Sequence, residues 1–533
     1  MKRSREKEKG AALIFAMILV AVLTIMGVSM MFLSQSETWS SLNYRLMTQA
    51  RYGAEAGVQA GAAYLTNPAN GYTPAGTTAD PLSGYNTNLS PVTRASGNTN
   101  PIALGATVDG ITANYPVSLT NAFPGTGSVI AGNNTVNYSV SAKLLAMRQV
   151  TQCGYGSSIT AQTWQLTSHG DIQGVRNAEA EVSAILEQQI LPCYPFAGFG
   201  TGNGCNVINF NGGGTIDSYD SAAVNGNSTP STQSYDGNLG SNGTLNTASN
   251  TTVAGSFSSP RVGANTTCQN GSVQPALTGT TSAVSGCQDS TQLANNACGN
   301  PLVKLSQPFN PTPPVTDFPT CTGSLAASCD ATILSTLPSN PGNNLYPSPT
   351  NTYGNLSANG GSSTTITLNP GTDANGNCIP AVYYINSITI SGQASLTIGK
   401  CPGTGTNNGN NPAVYQPIVI NVVGSGISAP SNVLDIGGGG FANPGYDPSL
   451  LQIQYGGSAG INLHGNGSSS AVLFAPNSPL TFSGNANWYG SVIGNTITSN
   501  GAAQVSIHYD RRLADKLFNV SNWTMNSFTW SKF

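Results

Sequence analysis

Asp217 and Asp220, in Ile216-Asp217-Ser218-Tyr219-Asp220, are the residues whose type and spacing come nearest to chemistry. Two carboxyls about 5–10 Å apart can divide the acid and base work of cleaving a polysaccharide. The same pattern suits a turn whose Asp side chains bond backbone N–H groups, and that is the favoured reading. His464 stands alone in a repeat and His508 precedes Tyr509-Asp510, so structural roles are expected for both. The glycines Gly437 to Gly440 are not followed by the Lys-Ser/Thr of a phosphate loop and read as a flexible or close-packed turn. Asn487-Trp488-Tyr489 could stack on sugar rings if exposed, and suits buried packing at least as well. His169, His464 and His508 are far apart, and no CxxC pair occurs. No metal, cofactor or catalytic residue is therefore expected.

Chemistry of another kind is written at the N-terminus. Lys2, Arg3, Arg5, Lys7 and Lys9 precede Gly10, and residues 11–33 then carry no charge. As a helix that apolar segment is roughly 35 Å long, enough for a bilayer core of about 30 Å. It is too long for the apolar core of a secretory signal. The next basic residue is Arg45, so the charge bias predicts a cytoplasmic N-terminus and a C-terminus outside. The abrupt small-residue boundary, Gly10-Ala11, lies before the apolar segment. Cleavage there would remove the charged leader and leave the membrane helix in place.

The run Lys9-Gly10-Ala11-Ala12-Leu13-Ile14 resembles the processing site of type IV pilin-like proteins, in particular the PilX-like minor pilins. Ser36-Glu37, Asn43, Arg45 and Ala54-Glu55-Ala56-Gly57 extend that resemblance over about residues 7–65. It implies cleavage by a prepilin peptidase between Gly10 and Ala11. It further implies a single pass through the inner membrane, then a place on the pilus or cell surface. Other pilins and the assembly machinery become expected partners, met through helix residues Phe15, Glu37, Gly53, Glu55 and Gly57. Major pilins carry Glu at the fifth mature position, and Phe15 stands there. That departure fits a minor, initiating or tip subunit better than a shaft subunit.

Beyond Leu33 the chain is free of Pro until Pro68, and Leu42, Leu46 and Ala50 recur at spacings of four. Gly53, Gly57 and Gly61 recur likewise. Such a row admits a close-packed neighbour, either another helix of a bundle or the protein's own globular domain.

Charged residues make up only 7% of the chain, against about 25% in ordinary soluble proteins. Glu187 is the last glutamate, and residues 191–533 hold seven Lys/Arg against eleven Asp. No basic patch exists for nucleic acid. β-branched and aromatic residues still recur regularly, which favours folded β-structure over disorder. All ten Cys lie beyond the apolar segment, consistent with disulfides in an oxidising compartment. Sequence neighbours are the candidate pairs: Cys193 with Cys205, Cys287 with Cys298, Cys321 with Cys329 and Cys378 with Cys401.

Residues 135–190 alternate like a small antiparallel meander. PilX-like proteins carry a similar segment after the stalk, so 67–190 is expected to be a pilin-like β-domain. In Ala178–Glu187, apolar Ala180, Val182 and Ala184 alternate with polar Glu179, Glu181 and Ser183. From residue 191 the character changes. Ile461-Asn462-Leu463-His464-Gly465 resembles Leu480-Thr481-Phe482-Ser483-Gly484, with Ile497-Thr498-Ser499-Asn500-Gly501 and Ile388-Thr389-Ile390-Ser391-Gly392 as relatives. A period near 18–20 residues predicts one coil of a β-helix or irregular β-solenoid over 191–515, with a β-sandwich as the alternative. The Pro-rich stretch 298–353 is expected to be an excursion loop. Phe518, Trp523, Phe528 and Trp530, in 516–533, are expected to cap the open end.

The expected fold is thus α+β. Leader 1–10, membrane helix 11–33 and stalk helix 34–66 precede the small antiparallel domain and a large β-domain. The expected function is assembly into a type IV pilus and presentation of that β-domain, with a surface glycan or host cell as candidate contacts. A pseudopilin of a type II secretion system and a membrane-tethered polysaccharide-active enzyme are the alternatives.

Overall fold

The computed structural model describes residues 5–532 except 68–83, 96–99, 108–112, 115–121, 133, 155–157, 174–176, 227, 248–249, 269–273, 280, 319–343, 346–351, 361–363, 374–377, 402–414, 466 and 501–504. One helix, Arg5–Thr66, opens it. Hydroxyls inside its apolar half bond back to the preceding turn: Thr24 to the Val20 carbonyl and Ser29 to that of Ile25. No polar side chain there is left to demand water. Residues 11–41 are exposed all round. From Leu46 one face is buried, by Leu46, Ala50, Ala54, Val58, Ala62 and Leu65.

The chain divides into two compact units. The first holds residues 1–149, 160–189 and 520–533. Its sheet contains Ala103–Gly105, Asn134–Gln152, Leu517–Lys532, Ala178–Pro192 and Ser158–Ile172 in that order. The last two are antiparallel, from Thr163↔Glu187 to Ile172↔Ala178. Ala178, Ala180, Val182, Ala184 and Leu186 face the core, while Glu179 and Glu187 are exposed. Gly53, Gly57 and Gly61 face this sheet. A Cβ on Gly53 would lie 2.3 Å from Val136 Cγ1, and one on Gly57 would lie 2.2 Å from Ser168 Oγ. The glycine row is therefore filled by the protein's own strands and is closed to a neighbouring helix. Gly170 completes the approach from the sheet side, where a Cβ would fall 2.1 Å from the Ala50 carbonyl oxygen.

The aromatic C-terminus differs from expectation. It forms the strand Leu517–Lys532, and Trp523 and Met525 pack on the first unit's core. Ladder hydrogen bonds along a long strand outweigh the use of its rings as a cap.

The second unit holds residues 150–159 and 190–519. Apart from one short hairpin and one isolated bridge, its described pairings are parallel, with the register shifting at Asn432/Leu434 and at Ala475/Pro479. The repeats noted in the sequence lie on one another, Ile461↔Leu480 and Leu480↔Ile497. Extended by register, they form a column: Leu356, Ile388, Leu434, Ile461, Leu480, Ile497, Ile208, Leu245 and Leu277. Each is at most 1% exposed.

This column reveals the unit's connectivity. The late strand Asn487–Asn500 is followed in space by the early strands Gly198–Gly200 and Ile208–Phe210. The late strand Val505–Asp510 pairs with the early Gly214–Tyr219. The first and last strands of the unit in sequence are thus neighbours in the middle of its parallel sheet. Polar residues stack too, Asn209 with Asn246 at 2.7 Å and Asn355 with Asn386 at 2.7 Å. Ladders of this kind satisfy buried polar groups without charge.

Residues 302–318, within the stretch expected as an excursion, lie on the coils. Leu302–Lys304 pairs with Phe257–Ser259. Phe309 N–H donates to Asn242 Oδ1 at 2.8 Å, and the Phe309 ring meets Phe199 at 4.9 Å. Pro314 passes close to Gly456, and Phe318 is buried. Asn310, Pro311, Pro313 and Pro314 suit an extended strap that needs no internal hydrogen bonds.

Four disulfides are described: Cys153–Cys193, Cys205–Cys268, Cys287–Cys298 and Cys378–Cys401. The expected Cys193–Cys205 pair is replaced because coil stacking brings Cys268 to Cys205 across 63 residues. Cys321 and Cys329 lie outside the described residues.

Gly170→Ala is expected to destabilise the first unit by about 2 kcal/mol or more, because the new methyl meets helix backbone that cannot yield. Gly204→Ala, with open space around it, is expected to change little. Thermal unfolding of the two variants checks both.

Candidate functional site

Two places could carry function. The first is the exposed part of the helix. It is long and apolar enough to cross a membrane. Phe15 is 73% exposed there, and Glu37 is exposed as well. Glu55, expected as an assembly residue, accepts a hydrogen bond from Arg51 Nε at 2.7 Å. The Arg51 guanidinium lies over the Trp530 ring, 5.4 Å from its centre. Glu55 is thereby engaged within its own unit, as Gly53 and Gly57 are. Gly10 falls inside the helix, and Ala11 is exposed.

The second place is where the first and last coils meet. Asp217, His508 and Tyr489 occupy matching positions on three adjacent strands. Asp217 Oδ1 and His508 Nδ1 are 2.5 Å apart, with both side chains about nine-tenths buried. The Tyr489 ring lies on His508, centroids 4.5 Å apart, and meets Tyr219 and Tyr446 edge-on. The Tyr219 hydroxyl donates to the Tyr446 carbonyl at 2.8 Å. Asp510 Oδ1 accepts from the Ser221 and Arg512 amides, each at 3.2 Å, while Oδ2 has no partner.

Burial dominates the electrostatics here. It pushes Asp510 up to about 6, and Asp236 likewise to about 6 against the opposing pull of Arg511 and Asn238. It pushes Tyr489 up to about 12, with Tyr446 and Asp217 adding to the rise. Tyr219 is held well above the ordinary phenol range, again by burial first.

Asp217 and Asp220 do not act together. Asp217 is engaged by His508, and Asp220 accepts from the Ala222 amide at 2.9 Å to cap a short 3-10 turn. Trp488 and Tyr489 are buried, so neither offers a ring to a sugar. His464 Nε2 pairs with Asp435 at 3.3 Å on the coil surface. Gly437 to Gly440 make a tight corner, with Gly438 and Gly440 both at φ 62°. Gly456-Gly457-Ser458-Ala459-Gly460 spells the nucleophile-elbow pattern, but it joins the strands Leu451–Tyr455 and Gly460–Leu463. The elbow requires a strand-to-helix turn.

Sequence reasoning missed the joining of Asp217 to His508. They stand 291 residues apart, and only the stacking of the first coil on the last brings them together. His508→Ala is expected to cost about 3 kcal/mol, because it strands a buried carboxylate. Asp217→Asn, which keeps a hydrogen-bonding group, is expected to cost less. Denaturant unfolding measures the difference, and an equal small loss for both would contradict a buried pair.

Residues 9–59 match the PilX N-terminal family model. Residues 431–516 match a domain of unknown function (DUF7305). No curated protein matches the chain. Among solved structures, the competence-associated pilin ComZ from Thermus thermophilus aligns at 14% identity, over 92% of this chain and 98% of that one, with a TM-score of 0.28. That score is too low to carry a fold argument. The family match instead falls on residues 9–59 of the helix Arg5–Thr66, and over that segment this chain is similar to the N-terminal region of PilX proteins.

Proposed function

We propose that this protein is a minor-pilin-like subunit, anchored in the inner membrane and assembled into a type IV pilus through its N-terminal helix. The observation that carries the reading is the PilX N-terminal match across residues 9–59, which coincides with a helix exposed all round from residue 11 to residue 41. An apolar surface of that extent in water demands either lipid or other helices. In this reading the charged leader stays cytoplasmic and a prepilin peptidase cuts between Gly10 and Ala11. Phe15, lacking the carboxylate of shaft subunits, suits an initiating or tip position.

The second unit is the presented part, which we read as a β-solenoid. Its parallel ladders support that reading over a sandwich, whose sheets are antiparallel. Its surface is nearly free of charge and serves contact with another subunit or a cell surface rather than turnover. The engagement of Asp217 by His508 and of Asp220 by a backbone amide supports a structural role over an acid–base one.

Mass spectrometry of the mature N-terminus tests the proposal, in cells with and without the prepilin peptidase. A chain beginning at Ala11 only where the peptidase is present is expected. A chain beginning at Met1 in both would reduce the protein to a signal-anchored envelope protein.

A further inference from the structure

One ladder of the second unit stops short. Asn344–Leu345, Thr365–Leu368, Ser395–Ile398 and Gly440–Ala442 form a parallel sheet in that order. Among the described residues it ends at Gly440–Ala442. The strand Ser468–Ser483 passes by without continuing it and meets it through a side chain, Phe441 N–H donating to Ser469 Oγ at 3.2 Å. Where the ladder stops there is an open cavity of about 380 Å³. Small-molecule sites run to about 300–1,000 Å³, and this one lies near the lower end.

The walls restrict what could enter. Thr397, Phe441, Asn443, Pro444, Tyr446 and Ser468 line the cavity with Ala442 and glycines, and none of them is charged. A charged ligand would lose its water there and find no opposite charge. Asn443 is 5% exposed, and its Nδ2 donates to the Asp447 carbonyl at 2.5 Å while its Oδ1 has no partner. A buried acceptor of that kind calls for a donor from outside the protein. Tyr446 carries its ring on left-handed backbone, at φ 50°, directly after Gly445 at φ 68°. A bulky side chain held there is strained, and such strain gathers at ligand clamps. The Tyr219 hydroxyl on its carbonyl, at 2.8 Å, and the Tyr489 ring, centroids 4.8 Å apart, hold it in place. The ring is thus fixed before any ligand arrives, and binding need not order it.

A neutral molecule with hydroxyl donors and an apolar face meets all of these conditions. We propose that this cavity binds a neutral sugar, a single hexopyranose unit either free or at the end of a glycan. Its C–H face lies on Tyr446 and Pro444, and one hydroxyl donates to Asn443 Oδ1. Thr397 Oγ1 donates to the Ala442 carbonyl at 2.6 Å, so it meets the sugar as an acceptor. On the reading of the second unit as the presented part, the site gives its contact a chemistry.

The test is binding of the purified full-length protein, in a detergent without sugar headgroups, to an array of neutral and acidic glycans. Binding to a subset of the neutral glycans is expected. Competition by a free hexose assigns the ligand to the single unit, and its failure assigns it to the chain end. Tyr446→Gly keeps the left-handed backbone, removes the ring and is expected to weaken binding about tenfold or more. Ala442→Trp, at an exposed residue of the lining, is expected to abolish binding by filling the cavity. Where Tyr446→Gly does not fold, Ala442→Trp decides. Wild-type protein that binds no neutral glycan, or only acidic ones, overturns the proposal, as does undiminished binding by Ala442→Trp. Cleavage at Gly10 is read separately from the N-terminal mass. A protein cut at Gly10 that binds no sugar would sink the sugar site alone, and an uncut protein that binds sugar would sink the pilin reading alone.

Discussion

The aliphatic column from Leu356 through Ile497 to Leu277 sets the constraint on which the second unit depends. Parallel in-register strands place like positions on top of one another, so each coil must offer an apolar residue where its neighbours do. A slip of one residue would turn every side chain of a strand to the other face. Fully burying one such side chain is worth roughly 1.5–3 kcal/mol, so the register is held at every layer. The same stacking explains the composition. Asn, Ser and Thr in matching positions bond one another, and charges packed directly over like charges would repel.

The first unit answers a different demand. Its helix must be apolar all round over one half and apolar on one face over the other. The change falls near Leu42, where the sheet begins to cover it. Gly53, Gly57 and Gly170 bring helix and strand backbones closer than side chains would allow. The stalk is therefore held by contact with its own strands, and only the leading part of the helix is left bare.

Much of this was legible in the sequence, and the limits have physical causes. The apolar segment, the alternation of Ala178 to Leu186 and the coils at Ile461, Leu480 and Ile497 each announce themselves within a few residues. The early coils do not. Gly198–Gly200, Leu239–Ser241 and Leu245–Thr247 are three residues long, too short for alternation to register. The glycine row was visible, but small residues invite a helix and a sheet equally, so its partner was not. Pairings across hundreds of residues, such as Asp217 with His508, leave no local trace. The terminal aromatics misled for a related reason, since strand pairing rather than ring chemistry decides where they go.

The mid-stack meeting of the first and last coils has a consequence for how such a domain can vary. Among the described residues, both ends of the parallel ladder are made by interior chain, around Leu302–Lys304 at one end and Thr352–Gly360 at the other. A coil added at either end would leave the chain's points of entry and exit untouched. The strap through Phe309 and Pro314 would need to lengthen by only about one and a half residues per coil, given strands about 4.8 Å apart and an extended rise near 3.1 Å. The unit can thus lengthen by insertion without rebuilding the layers at which its chain enters and leaves.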